Sequence, residues 1–217
     1  RSLLWARPDT GDGLVHVMRI PNLALASLAG SVEAHDARIL DLVLVKENLK
    51  QSLERHLDAF SPDLVGMSSM TFQYDTMIRI AGYIRRRMPE VKLAAGGYHP
   101  TLMYREITAE KPEIPLDFLF RGEGEEAFRE LMEALSRGAT DFAGITGLSW
   151  RSRSGEWIHN PDRALQDLKL LPLPNRSVRL EKGFHVFRKR IDVIETSRGC
   201  PLNCNFCSIR KMYGPTF

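Results

Sequence analysis

The chain has 217 residues, 43% of them hydrophobic, and carries 30 Lys and Arg against 27 Asp and Glu for a formal net charge of +3. That balance describes a globular protein with length for one sizeable domain and more, and it excludes charge-driven binding to nucleic acid. Basic runs such as Arg85-Arg86-Arg87 read as a solvated helix end. No apolar stretch approaches the about 18 residues of a membrane span, and no signal-peptide pattern is visible.

Ser2–Ala6 is a candidate strand, and Pro21 fits the start of a helix through Leu28. From residue 37 to 136 short apolar runs alternate with amphipathic helices. Arg38–Leu42 predicts a strand, and Glu47–Phe60 then puts Leu49, Leu53, Leu57 and Phe60 on one helical face. Leu64–Met67 predicts a second strand, followed by a helix over Gln73–Arg87 with Met77, Ile78, Ala81 and Ile84 apolar. Val91–Ala95 is the next strand, followed by a Gly96-Gly97 turn and a short helix over Leu102–Ile107. Leu116–Phe120 is another strand, and the helix over Glu125–Ser136 carries Phe128, Leu131, Met132 and Leu135. Pro89 and Gly138 punctuate helix ends.

Strands recurring about every 25 residues with helices between them mean βαβ units, hence a Rossmann-like α/β fold: a parallel sheet with helices on both faces. Ligands of such sheets bind beyond the carboxyl ends of the strands. Those ends here are polar and glycine-rich: Ser68-Ser69-Met70-Thr71, Gly96-Gly97-Tyr98-His99-Pro100-Thr101 and Arg121-Gly122-Glu123-Gly124-Glu125. The three loops are expected to converge on one sheet edge.

Past residue 143 the pattern changes. Gly147–Trp150 and Glu156–His159 predict a β-hairpin across Arg153-Ser154-Gly155. Asn160–Asn175, with Pro161, Pro172 and Pro174, suits a linker laid over a surface. Phe187–Glu195 predicts a strand that opens a further domain, with a cysteine loop at its carboxyl end. The expected division is a sheet domain over 1–142, a hairpin and linker over 143–186, and the start of a second domain over 187–217.

Cys200, Cys204 and Cys207 are the only cysteines. The CxxxCxxC triplet supplies three thiolates from one short loop, enough for three irons of a cubane cluster with the fourth left open. A disulfide fits poorly, because the count is odd and the residues are crowded. A zinc site needs a fourth ligand and normally paired CxxC or His spacings; His185 is the histidine nearest in sequence. Reduced cysteines lead to the expectation of a cytoplasmic protein.

With Phe206 just before the last cysteine, this spacing resembles the radical S-adenosylmethionine (SAM) family. The resemblance implies a [4Fe–4S] cluster on Cys200, Cys204 and Cys207, whose free iron chelates SAM and whose reduced form cleaves it to a 5′-deoxyadenosyl radical. Phe206 and its neighbours would shape the adenine site. The Gly-Gly-Tyr-His-Pro-Thr and Arg-Gly-Glu-Gly-Glu-Glu loops ahead of the triplet resemble the cobalamin-binding domain of cobalamin-dependent radical SAM enzymes, relatives of the anaerobic Mg-protoporphyrin monomethyl ester cyclase and of radical SAM methyltransferases. Under that resemblance Ser68, Ser69 and Thr71 bond the nucleotide tail of cobalamin. Gly96, Gly97 and His99 line the corrin face or tail, and Gly122, Glu123 and Gly124 its rim. Each also has a plainer role: glycines serve any tight turn, the serines serve as helix caps, and Glu123 and Glu125 complement a helix dipole.

Many cobalamin domains carry Asp-x-His-x-x-Gly, whose histidine ligates cobalt from below, and this sequence has no Asp-x-His. The resemblance thus points to the subgroup without that ligand. The chain stops ten residues after Cys207, so it is expected to be the front part of a longer enzyme, inactive alone, whose barrel lies further on. That enzyme would act on a small-molecule substrate, by radical methylation or oxidative cyclisation of an unactivated carbon, with an electron donor such as flavodoxin or ferredoxin. The alternative is a non-catalytic cobalamin- or ligand-sensing module whose cysteine loop binds metal structurally.

Overall fold

The computed structural model describes residues 2–4, 20–110, 113–186 and 188–215. The first strand, β1 (Ser2–Leu4), is followed by helix α1 (Leu23–Ser31), whose start is capped by Asn22 Oδ1 accepting from Leu25 N at 2.9 Å. Residues 5 and 6 of the expected first strand lie outside the described residues. Strand β2 (Ile39–Asp41), helix α2 (Leu49–Phe60), strand β3 (Leu64–Ser68), helix α3 (Tyr74–Arg87) and strand β4 (Lys92–Gly96) follow within a few residues of expectation. Helix α4 (Tyr98–Glu110), strand β5 (Phe118–Phe120) and helix α5 (Glu125–Ser136) complete the βα run.

Helix α4 corrects one expectation. It begins in the glycine loop itself and bends at Met103, where φ is −123°. His99, Pro100 and Thr101 therefore form its first turn rather than a loop ahead of a helix at residue 102. Pro100 suits this position because its ring fixes a helical φ and the first turn needs no donor from it.

The sheet has strand order β2-β1-β3-β4-β5, all parallel. Two further strands, β6 (Leu148–Arg151) and β7 (Trp157–His159), add antiparallel beyond β5. The hairpin is thus part of the same seven-stranded sheet. Strand order reverses between β1 and β3, the position where open α/β sheets leave a crevice.

Side chains alternate across the sheet and divide the core. Val65, Met67, Leu93, Ala95 and Leu119 face α2, α3 and α4, packing on Leu53, Leu57, Met77, Ile80, Ile84 and Ile107. Leu64, Ala94, Phe118 and Phe120 face the other way, onto Ala127, Leu131 and Ala134 of α5. Leu25, Ala26 and Ala29 of α1 pack beside them with Ile39.

After β7 the chain crosses back over the α1 side of the sheet. Asn175 N donates to Ala26 O at 2.8 Å, and Ile39 N donates to Val178 O at 2.9 Å on the outer edge of β2. Two short strands, β8 (His185–Val186) and β9 (Lys189–Arg190), then pair antiparallel around Arg188 at φ +64°. The expected strand over 187–195 does not form: residues 191–208 are neither strand nor helix, and Phe187 lies outside the described residues. Apolar residues there lack a neighbouring strand, and Ile194 is 78% exposed. The last element is a short helix, α6 (Ile209–Tyr213). No helix among the described residues is long and apolar enough to cross a membrane.

Candidate functional site

The three polar loops meet at the carboxyl edge of the sheet and are stitched to one another. Ser69 N donates to Gly96 O at 3.0 Å, and His99 N donates to Ser69 O at 3.2 Å. Gly122 N donates to Thr101 Oγ1 at 3.1 Å, which ties the β5 loop to α4. Beneath them a cavity of about 490 Å³ runs down the sheet face under α1, as far as Pro62 and Asp63 at the amino end of β3.

Residue size makes this cavity. On the face toward α1, strands β3 and β4 present Gly66, Ser68, Ala94 and Gly96, whereas the opposite face carries Val65, Met67 and Leu93. Small side chains on one face leave the adjacent helix standing off the sheet, and Leu25, Leu28 and Ala29 line the far wall. The slot is mostly apolar, with polar groups gathered at its mouth. Ser69 Oγ, at the mouth, is buried and has no hydrogen-bond partner among the described residues. It is open hydrogen-bond capacity of the kind a bound ligand takes up.

Of the residues expected to bind a cofactor, Ser68, Ser69, Gly96, Gly97, Gly122, Glu123 and Gly124 all line this one cavity. Thr71 and His99 do not. His99 Nδ1 lies 3.3 Å from Thr71 Oγ1, and the ring packs on Tyr74 with centroids 4.3 Å apart. Burial lowers the His99 pKa below its usual value, against the opposing charge of Asp75.

Gly97 also serves the packing of the loops themselves. Its φ is +93°, and a Cβ there would lie 2.8 Å from Ser68 Oγ and 2.9 Å from Ser69 O. The missing side chain lets two loops of the protein itself cross. Gly122, at φ +70°, has no atom of the described residues within 4 Å of the corresponding position.

The cavity also recruits residues that pattern reading passed over. Tyr98, Glu195, Arg198, Met212 and Tyr213 line its mouth. Tyr98 belongs to the β4 strand-end loop, while the sequence signal of the other four is weak, because they come from the segment around the cysteines and reach the sheet edge only through tertiary folding. Arg198 donates to Glu123 Oε1 at 3.0 Å, to Glu125 Oε1 at 2.6 Å and to Glu195 Oε2 at 2.8 Å. Burial works to lower the Arg198 pKa, but the hydrogen bond and charge of Glu125 override it and the net shift is upward. Glu123 and Glu125 are therefore ion-paired as well as near a helix start. Burial raises the Tyr98 pKa, and burial pushes that of Tyr213 up to about 12.

The three cysteines lie on one loop closed by Cys200 N donating to Gly214 O at 3.2 Å, with Cys207 N donating to Cys204 O at 3.1 Å. All three are free thiols, Cys204 exposed and the others half-buried. Among the described residues no group of three or more His, Cys, Asp or Glu side chains converges as a metal site. Three accessible thiols on a short loop are the donor chemistry of an iron–sulfur site, and they fit such a cluster as ligands rather than as a preformed cage. Phe206 beside them is 93% exposed.

The profile of the B12 binding domain family matches residues 14–132. The chain belongs to that family. It is 34% identical over 98% of its length to an uncharacterized methyltransferase of Pyrococcus horikoshii, covering 46% of that protein. It is 32% identical over 90% of its length to the anaerobic magnesium-protoporphyrin IX monomethyl ester cyclase of Synechocystis sp., covering 39% of it. Among solved structures it resembles the cobalamin-dependent S-adenosylmethionine radical enzyme OxsB with aqua-cobalamin and S-adenosylmethionine bound. The TM-score is 0.63 at 20% identity, over 82% of this chain and 24% of that one, a likeness of fold. The chain spans less than half the length of the curated relatives it matches. The Rossmann-like α/β architecture expected from the βα rhythm is thus the fold of this B12-binding domain.

Proposed function

We propose that this chain is the cobalamin-binding domain and cluster loop of a cobalamin-dependent radical SAM enzyme that methylates or oxidatively cyclises an unactivated carbon of a small molecule. The observation that carries this reading is a shared wall. Glu195 and Arg198, from the segment leading into the cysteines, line the same cavity as Ser69, Gly97 and Gly122. This shared wall supports reading the corrin site and the cysteine loop as neighbours.

In this reading the nucleotide tail of cobalamin occupies the slot under α1, where Gly66, Ala94 and Leu25 exclude water, and Ser69 Oγ donates to it. Gly96, Gly122 and Gly124 leave room for the corrin rim. Cys200, Cys204 and Cys207 would hold a [4Fe–4S] cluster, and Phe206 and its neighbours would shape the SAM adenine site. When bound, the cluster supplies the electron that cleaves SAM and cobalamin supplies a methyl-carrying or redox centre. The residues of this chain bind, orient and exclude solvent. The division into a corrin domain over 1–142, a hairpin and linker over 143–186 and the start of a barrel over 187–217 belongs to the same proposal, as do a cytoplasmic location and a flavodoxin or ferredoxin as electron donor.

The test uses the full-length protein, reconstituted anaerobically with iron and sulfide in the presence of hydroxocobalamin. The wild type is expected to bind one corrin and to show a cluster spectrum that changes on adding SAM, because only an open iron can take that ligand. Cys204→Ala is expected to keep the corrin and lose reductive SAM cleavage. A metal signal indifferent to SAM would favour a corrin-sensing module with a structural metal loop.

A further inference from the structure

The cysteine loop is tied to the sheet edge by a side chain two residues ahead of Cys200, alongside the edge-on contact of Tyr213 with Tyr98, whose ring centroids are 6.2 Å apart. Arg198 spreads its guanidinium over Glu123 and Glu125, one nitrogen to each, while its Nε reaches Glu195 and its Cζ lies 5.7 Å from the Tyr213 ring centroid. The side chains of Arg198, Glu123 and Glu125 are only 10%, 4% and 6% exposed. The other oxygen of Glu123 accepts from Gln166 N at 2.6 Å, so the crossing linker meets the same point.

Burying two carboxylates on one guanidinium is a weak route to stability, since desolvation offsets most of the Coulombic gain. What it supplies is geometry. A planar fork with both carboxylates fixed on the β5–α5 turn sets the position and plane of the guanidinium and so tethers the arginine backbone close to that turn, a constraint that the single ammonium of a lysine would enforce less. Residues 191–208 have no helix or strand of their own to do this. Arg198, Glu195, Glu123 and Glu125 all line the mouth of the corrin slot.

We infer that Arg198 is a positioning residue: its fork on Glu123 and Glu125 fixes the cysteine loop at a set distance and angle from the corrin slot. This rests on the functional reading above. Groups that must meet within about an ångström of the productive geometry need such a constraint, because small misplacements are costly in rate.

The test uses the full-length protein carrying Arg198→Lys or the pair Glu123→Gln and Glu125→Gln, each compared with wild type. Glu125→Gln alone keeps the inference testable if the pair fails to fold, with a smaller effect in the same direction. Two readouts are taken: hydrogen exchange across residues 195–208, which needs no cofactor, and the magnetic interaction between the reduced cluster and cob(II)alamin by electron paramagnetic resonance. Iron content is expected to stay within about twofold of wild type, while exchange in 195–208 speeds up about tenfold or more. The cluster–corrin interaction should weaken or broaden. Unchanged exchange in every variant, or faster exchange with an unaltered interaction, defeats the positioning role while leaving the functional reading intact. Wild-type protein that binds no corrin defeats the functional reading and the inference together, and exchange then reports only a structural ion pair.

Discussion

Gly97 lies directly against Ser69: a side chain on Gly97 would put its Cβ 2.9 Å from the Ser69 carbonyl oxygen. The contact joins the β3 and β4 loops, and it is reinforced by Ser69 N donating to Gly96 O and His99 N donating to Ser69 O. Since the backbone also sits at φ +93°, two separate penalties meet at one position.

Gly97→Ala should therefore destabilise the protein by about 2–4 kcal/mol, and Gly97→Val by more. Gly122→Ala pays only the conformational penalty of its positive φ, about 1 kcal/mol. Thermal melts followed by circular dichroism measure both. Equal melting temperatures for the Gly97 and Gly122 variants would contradict this packing argument.

Ala94 faces the slot from the middle of β4 and is 1% exposed. Ala94→Met extends a flexible apolar chain into the space under α1. Corrin affinity should fall roughly 10–100-fold with stability changed by about 1 kcal/mol or less. Titration of the apoprotein with hydroxocobalamin, read by visible absorbance, gives the affinity. Unaltered affinity would place the ligand elsewhere.

His99 points away from the slot, toward Thr71 and Tyr74. Bound cob(II)alamin should show no nitrogen splitting from this ring, and His99→Ala should leave its electron paramagnetic resonance spectrum unchanged. A splitting that vanishes in that variant would make His99 the lower cobalt ligand.

Asp41 ends β2 and is 6% exposed, with Oδ1 accepting from Val43 N at 3.0 Å. Burial raises its pKa from 3.8 to about 6, against the opposing pull of Val43 N and the Arg179 charge. The folded protein thus holds a proton there that the unfolded chain has released. This contribution to stability is full below about pH 4, is lost as pH rises to about 6, and stays lost above it, with an upper limit on the order of 3 kcal/mol. Asp41→Asn keeps the acceptor for Val43 N and removes the slope. Urea midpoints of wild type and variant between pH 4 and pH 7 should converge at the acid end and separate in favour of the variant toward neutrality.

The sequence by itself determined the βα rhythm and the polar, glycine-rich character of the strand ends, because hydrophobic periodicity and turn chemistry are local properties. The helices around Leu53, Ile84 and Leu131 could be read from spacing alone, and Cys200, Cys204 and Cys207 from their crowding. Tertiary structure decided what those features do together. Gly66 and Ala94 look like ordinary strand residues until they are seen on one face, where their small size opens the slot. Gly97 reads in sequence as a turn glycine or ligand contact, and only the fold shows that it is also a crossing point, with Ser69 against it. The run Phe187–Glu195 has the composition of a strand, but a strand needs a neighbour to accept its hydrogen bonds, and only β8 and β9 pair there. Arg198 and Glu123 are 75 residues apart, and no local pattern links charges at that separation; folding brings them together and buries them, where each needs the other.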